Sequence, residues 1–244
     1  MQIDKNASRE ANIGGGMADH VALIADVADS RRIDDFPRRR DRLLTELSAR
    51  HRGKGWTDFD YAVTAWDEFQ GLVDDPAVLP GVIWDLWRAF RPWSLRLAAG
   101  IGGVERVADA EANLPLNQAV TGPAFYRARE AMDRLDSPRH GMSRVRLRVG
   151  ATNDARALAC NAVLRLADSL VQDITDRQWQ VIESYERSGK QTEVAAEFDV
   201  AESTISRSLA SARYWELQAS FEELGELLAG PLGRTVPSSG PEPD

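Results

Sequence analysis

The sequence predicts an α+β protein in which an antiparallel sheet domain precedes an all-α domain. Three observations predict it. The apolar runs at residues 21–26 and 95–101 have the length and continuity of buried strands. From about residue 154 the pattern changes to a helical period and keeps it to about residue 230. Charge changes at the same place. Residues 1–150 hold 22 basic and 22 acidic side chains, whereas 151–244 hold 8 and 16, so the net charge of −8 belongs to the second part.

Taken in order, residues 1–19 read as a disordered polar tail, with Gly14, Gly15 and Gly16 before Met17, which is the expected start in place of Met1. Residues 20–150 form the sheet domain. Its first strand ends at Asp26. Asp34 or Asp35 with Pro37 opens a helix, because proline suits the first turn. Leu43, Leu44 and Leu47 lie along that helix beside Arg38, Arg39, Arg40 and Arg42, and residues 51–54 end it. Residues 60–66 and 69–73 are two strands joined by a turn at Asp67 and Glu68, a hairpin. Ile83, Leu86, Trp87 and Phe90 mark one face of an amphipathic helix. The third strand, 95–101, stops at Gly102 and Gly103. A helix carrying Phe125, Ala128, Met132 and Leu135 follows, then a strand at 144–149 whose alternating Arg and apolar residues suit a sheet edge. The domain boundary is expected between Val149 and Asp154, with a helical domain over 151–230. Thr175 and Gln178 form a capping-box signature for a helix ending near Gly189. The Pro/Ser/Gly-rich residues 231–244 read as a second disordered tail.

Composition narrows the function classes. With 43% apolar residues and seven Trp the chain has a core to bury, which excludes disorder for most of it. The net charge excludes a uniformly basic nucleic-acid binder. One Cys permits no intrachain disulfide and suits a cytoplasmic setting, and Cys160 falls on a helical stripe with Leu164, Ala167 and Val171, the place of a buried thiol. Three His and one Cys do not make a usual zinc site. No apolar run is long enough to cross a membrane, so no membrane partner is expected.

Residues 191–210 have the layout of a helix-turn-helix. Val194 and Phe198 face inward from a first helix, Ala195 is small where a second must cross, Val200 plugs the turn, and Ile205 and Leu209 seat the second helix. Trp179, Ile182 and Tyr185 supply a third helix. Glu202, Ser203, Thr204, Ser206, Arg207 and Arg213 are then the candidate DNA-binding residues, since hydroxyls and Arg near a helix start suit phosphates and base edges. The segment resembles the helix-turn-helix of transcriptional regulators. Residues 172–228 nevertheless carry 5 basic and 12 acidic groups, so affinity for duplex DNA depends on charges being sorted by face and on two copies, a homodimer, binding together. Three ordinary packed helices are the alternative.

Asp26 ends the first strand, and Asp67 with Glu68 occupies the hairpin tip. If the first strand lies beside the hairpin, Asp26 and Asp67 converge, and paired carboxylates favour a divalent cation such as Mg2+ or Mn2+. Such an ion can hold a nucleotide for phosphoryl transfer. Solvated turn acids are the alternative reading.

Residues 22–30, 67–72, 96–102 and 122–130 together resemble the SatD family of small bacterial cytosolic proteins, over about residues 20–215. That resemblance implies a C-terminal helix-turn-helix and a link to stress or acid tolerance. A weaker one is to the palm/ferredoxin-like fold of nucleotide cyclases and GGDEF-type diguanylate cyclases. It implies Asp26 and Asp67 as metal ligands, Glu68 as an accessory acid, the backbone carbonyl of Val27 as a further ligand, and Arg31 and Arg127 as candidate nucleotide-binding residues. Trp66 stands where palm cyclases have Gly, and Trp there fills the approach to the hairpin. The expectation is therefore a DNA-binding regulator with a degenerate palm that binds a nucleotide or metal. A metal-dependent cyclase or nucleotidyltransferase and a non-catalytic interaction module are the alternatives.

Overall fold

The computed structural model describes residues 19–107, 114–135, 145–149 and 155–229. The two expected tails (apart from Asp19), Met17, His140 and the segment just after Val149, where the domain boundary is expected, lie outside them.

Strand β1 (His20–Val27) is the centre of the sheet. It pairs antiparallel with β3 (Glu68–Val73) and with β4 (Leu95–Gly102). The short β2 (Ala62–Val63) completes the expected hairpin with β3, and β7 (Val145–Val149) closes the order β2-β3-β1-β4-β7. β7 lies at an edge, as its sequence suggests, but it joins β4 in parallel. The sheet is therefore mixed, where a purely antiparallel one was expected. A parallel neighbour needs a crossover, and helix α4 (Pro123–Leu135) lies between β4 and β7 in sequence. A small separate ladder joins β5 (Glu105–Arg106) to β6 (Val120–Thr121), with the short helix α3 (Leu116–Ala119) before it.

Both faces of β1 are covered, which is why it reads as an unbroken apolar run. Val21, Leu23, Ala25 and Val27 join a core shared with helix α1 (Phe36–Gly53) and helix α2 (Leu79–Phe90). Ala22 and Ile24 meet Ala98, Ala124, Ala128 and Met132 on the α4 side. The alanines of α4 let its backbone ride close on β4. A Cβ on Gly100 would collide with the carbonyl oxygen of Ala124 and the amide nitrogen of Ala128.

The sequence marks α2 as one-faced, yet it is buried almost all round, with Val82, Trp84 and Asp85 covered as well as the expected stripe. The cause is the C-terminal helices: α5 (Ala155–Gln172), α6 (Asp176–Ser188), α7 (Gln191–Glu197), α8 (Glu202–Ser211) and α9 (Tyr214–Ala229). Trp84 has ring centroids 5.1 Å from Trp179 and 6.0 Å from Phe221, and Trp87 lies 6.0 Å from Phe221. One apolar cluster thus runs from the sheet through α2 into the helices. Helix α9 rests on the turn at Pro76–Val78, where Gly225 permits the approach, since a Cβ there would lie 2.8 Å from the carbonyl oxygen of Ala77. The capping box of Thr175 and Gln178 starts α6, and Gly189 ends it in the left-handed conformation at φ 71°. Cys160 is buried.

Gly100→Ala is expected to lower the unfolding free energy by about 2 kcal/mol or more, because neither contacting backbone atom can move without shifting α4. Urea unfolding followed by Trp fluorescence measures it; unchanged stability contradicts the close α4–β4 packing.

Candidate functional site

At the end of β1 a row of charged residues crosses three strands. Register places Asp26 opposite Glu68 on β3 and opposite Arg96 on β4. Directly opposed residues share a face, so two carboxylates meet there and would repel. Two guanidinium groups neutralise them. Arg96 donates from Nε and Nη2 to the two oxygens of Asp26 at 2.7 and 2.6 Å. Arg129, from α4, donates from Nη1 and Nη2 to the two oxygens of Glu68, both at 2.7 Å. The hydroxyl of Thr64 adds a third bond to Glu68 at 2.8 Å. The Arg129 hydrogen bonds hold the Glu68 carboxyl below its ordinary pKa, against the upward push of partial burial. Fork-to-fork pairs of this kind are short and geometrically specific.

Asp67 does not meet Asp26 as expected. Its carboxylate accepts from the hydroxyl of Ser30 at 3.2 Å, and its carbonyl accepts from the N–H of Val27 at 3.2 Å. The reason is register. Glu68 is already the first residue of β3, so it shares the face of Asp26, and its neighbour Asp67 falls outside the strand. Among the described residues, no cluster of three or more His, Cys, Asp or Glu forms a metal-holding group. The oxygens of Asp26 and Glu68 are matched to guanidinium forks, and a divalent ion would have to displace both arginines, so the row fits such an ion poorly.

The other residues of the expected site lie apart. Arg31 is exposed in the single turn after β1. Arg127 donates to the carbonyl of Ile101 at the end of β4. Trp66 is 53% exposed and leans toward Phe36, with ring centroids 6.3 Å apart. The tip carbonyls of Ala65 and Trp66 accept hydrogen bonds from Arg40, which is buried, bonds Asp41 at 2.7 Å and lies over Phe36. Sequence reasoning placed Arg40 only among four helical arginines; its distinguishing signal is its helical spacing with Leu44 and Leu47, which turns it inward.

A second polar centre was missed altogether. Asp85 is 3% exposed on α2 and collects His51 Nε2 at 3.2 Å, Lys54 Nζ at 2.8 Å, Arg88 Nη2 at 2.8 Å and Arg50 Nη1 at 3.6 Å. The other ring nitrogen of His51 is 3.0 Å from the hydroxyl of Tyr61. Arg88 continues to Glu186 on α6, which also accepts from the indole of Trp84 at 2.7 Å. Burial pushes the Asp85 carboxyl upward, but the His51 and Lys54 hydrogen bonds and the charges of Lys54 and Arg88 outweigh it and hold the group well below the carboxylate range. Burial and the Asp85 charge drive the Tyr61 hydroxyl far above its ordinary value. This centre ties α1, α2, the hairpin and α6 together.

Along the helices, Ile205 and Leu209 of α8 are buried, whereas Glu202, Ser203, Thr204, Ser206 and Arg207 are exposed. Val194 and Ala195 of α7 are buried as expected. Val200 is 36% exposed and does not plug the turn; Phe198 packs partly against the core with the guanidinium of Arg177 4.1 Å from its ring. The acids of α7 are matched by neighbouring cations. Glu193 meets Lys190 at 2.7 Å, and Glu197 meets Arg187 at 2.9 Å and also Ser184. Arg213 meets Glu216 at 3.3 Å beyond α8. Among the described residues, no helix is long and apolar enough to cross a membrane.

Comparison with known proteins gives one family match: the SatD family, over residues 20–215. No curated protein matches the chain. A solved structure of a microbial GGDEF domain, described in its interaction with bis-(3,5)-cyclic di-GMP, is similar at 18% identity and a TM-score of 0.32, covering 54% of this chain and 77% of that one.

Because the Asp85 pKa is depressed in the folded state, its stabilisation is present above the ordinary carboxylate pKa of about 4 and is lost as pH falls below it. Asp85→Asn is expected to cost about 3 kcal/mol at neutral pH by removing the buried carboxylate on which His51, Lys54, Arg88 and Arg50 converge, and to flatten the acid limb of stability. Unfolding titrations from pH 7 to about pH 3 decide it; an unchanged acid limb would show that Asp85 is not the controlling group.

Proposed function

The chain belongs to the SatD family, and from that premise we propose a bacterial cytoplasmic DNA-binding regulator whose N-terminal sheet domain is a palm without turnover. One observation carries the reading: the outward row of α8. Over residues 202–207 every polar side chain is exposed and the apolar one, Ile205, is turned inward. In a helix-turn-helix the second helix enters the major groove by that face, with its N-terminal residues at base edges. Ser203, Thr204 and Ser206 are the hydroxyl donors to phosphate, Arg207 is the base-edge or phosphate contact, and Glu202 and Arg213 flank the row.

Net acidity argues against DNA, and the pairing of charges answers part of that objection. Glu193 and Glu197 are offset by Lys190 and Arg187, so Asp199 and Glu202 are the acids that approach DNA nearest the row. With few free cations, one copy makes few phosphate contacts and binds weakly. Two copies on adjacent half-sites, a homodimer, supply the missing affinity.

A non-catalytic palm is favoured by the Arg96–Asp26 and Arg129–Glu68 pairs, which take the oxygens a cation needs, and by Arg40, which holds the hairpin tip. In this reading a nucleotide or metal is not turned over at Asp26, Asp67 and Glu68, and the row serves to fix β1, β3, β4 and α4.

Gel-shift titration of the full chain on duplex genomic fragments at low salt tests the DNA reading. Binding that weakens steeply with salt, and by about tenfold or more in Arg207→Ala, is the expected result. No shift on any fragment at low salt contradicts it. The palm reading predicts that incubation with nucleoside triphosphates and Mg2+ or Mn2+ yields no cyclic or dinucleotide product; product that disappears in Asp67→Asn overturns it.

A further inference from the structure

Helix α5 is apolar on two sides. One side carries Cys160, Leu164, Ala167 and Val171 into the core. Leu158, Ala162, Leu166 and Leu170 follow one another at intervals of four residues, so they form a row along another side. That row is left to solvent: Leu158 is 63% exposed, Leu166 68% and Leu170 37%. Ala155 and Ala159, also exposed, widen it. A surface helix ordinarily turns a charged and polar face to water, but the exposed polar side chains beside this row are Arg165 and Ser169. Three leucines exposed along one helix make a contiguous patch, and such patches mark interaction surfaces.

The charges at the two ends of α5 decide what covers the row. Arg156 stands near its start, and the exposed Asp173 follows its last residue. A second α5 laid antiparallel about a twofold axis sets Asp173 of each copy beside Arg156 and the helix N-terminus of the other, where an acid is favoured. A parallel pair sets Asp173 against Asp173. With the axis between Ala162 and Leu166, the antiparallel register also brings Leu158 opposite Leu170 and Ala162 opposite Leu166, so that the small side chain faces a large one at the centre. A twofold interface requires this self-complementarity. Other occupants fit less well. The exposed acids Asp173 and Asp176 at one end oppose an anionic lipid surface. Residues 230–244 hold Leu232 and Val236 as their large aliphatic side chains, too few to cover the row.

We propose that α5 is the surface on which two copies of this chain pair, antiparallel and through the row from Leu158 to Leu170. A helix of 18 residues is about 27 Å long and about 10 Å wide. The seam therefore offers about 270 Å² a side, well under the roughly 800 Å² of a standard interface. The pairing is accordingly weak and reversible, with a Kd on the order of 10–100 µM. It goes beyond the DNA reading: it names the surface that joins the two copies, leaves the exposed row of α8 on a different helix, and stands on α5 alone.

Sedimentation equilibrium of the full chain without DNA, from about 1 to about 300 µM, tests it. A reversible monomer–dimer equilibrium is expected. Leu166→Glu puts a charge at the centre of the seam and is expected to raise Kd about tenfold or more, with the urea midpoint of unfolding unchanged because the side chain is exposed in the monomer. Tyr126→Ser, which removes an exposed aromatic ring on α4, is expected to leave Kd as it is. Disulfide trapping tests the register and does not depend on the Glu variant folding. Oxidising a mixture of Leu158→Cys and Leu170→Cys chains is expected to give several times more covalent dimer than oxidising either variant alone, since a disulfide needs its Cα atoms within about 7 Å. A chain that stays monomeric across the range overturns the proposal, as does a dimer whose Kd is unchanged in Leu166→Glu. Trapping of Leu158→Cys chains chiefly with one another overturns the antiparallel register. A monomer that still shifts duplex DNA overturns this pairing and leaves the DNA reading standing; a dimer that shifts no DNA does the reverse.

Discussion

Covering α2 on all sides is the constraint on which the rest depends. A helix carrying Trp84, Trp87 and Phe90 together with Leu79, Val82, Ile83 and Leu86 has no face suited to water. The sheet takes one side, and α5, α6 and α9 are drawn onto the other. The polar residue inside this helix, Asp85, is tolerable because four basic groups surround it. Truncating the C-terminal helices would uncover two tryptophans, and removing the cations around Asp85 would leave a buried charge. The helices that present α8 are therefore anchored to the sheet by burial and by the Arg88–Glu186 bridge.

That anchoring places two quite different surfaces on one body. At the end of β1, acids and arginines are spent on one another in matched pairs, and the hairpin tip is bound by Arg40. Along α8, Ser203, Thr204 and Ser206 are exposed, and so is Arg207, whose Nε also donates to the carbonyl of Ser203 at 3.1 Å. Polar groups that hydrogen-bond inside the protein fix structure; those left outside, in a row and at helix spacing, are available to a partner. The contrast explains how acids that look like a metal site from their order in the chain come to serve the fold.

Much of the architecture was legible because burial imposes a period. Continuous apolar runs gave β1 and β4, the 3.6-residue stripe gave α4 and α5, and the Thr175–Gln178 box marked the start of α6 to the residue. The hairpin was readable as well. The site was harder, because it depends on register, and a shift of one residue exchanges the two faces of a strand. Reading Asp67 and Glu68 together as the turn paired Asp26 with Asp67. Starting β3 at Glu68 pairs it with Glu68. The partners Arg96 and Arg129 come from 70 and 61 residues away in sequence, and no local pattern marks them among 27 arginines. The Asp85 centre was hidden for the same reason: His51, Lys54 and Arg88 meet only after α1 has packed on α2. The parallel pairing of β7 is likewise a consequence of the α4 crossover, not of anything in its own alternating residues.

Amide hydrogen exchange on the full chain, with and without bound duplex DNA, tests most directly whether the C-terminal helices are the nucleic-acid surface. The account predicts that DNA slows exchange in α7, the turn after it and α8, with the amides of β1, β3 and β4 unchanged. Protection that appears instead around residues 26–31 and 66–68, with α8 unaffected, would contradict it.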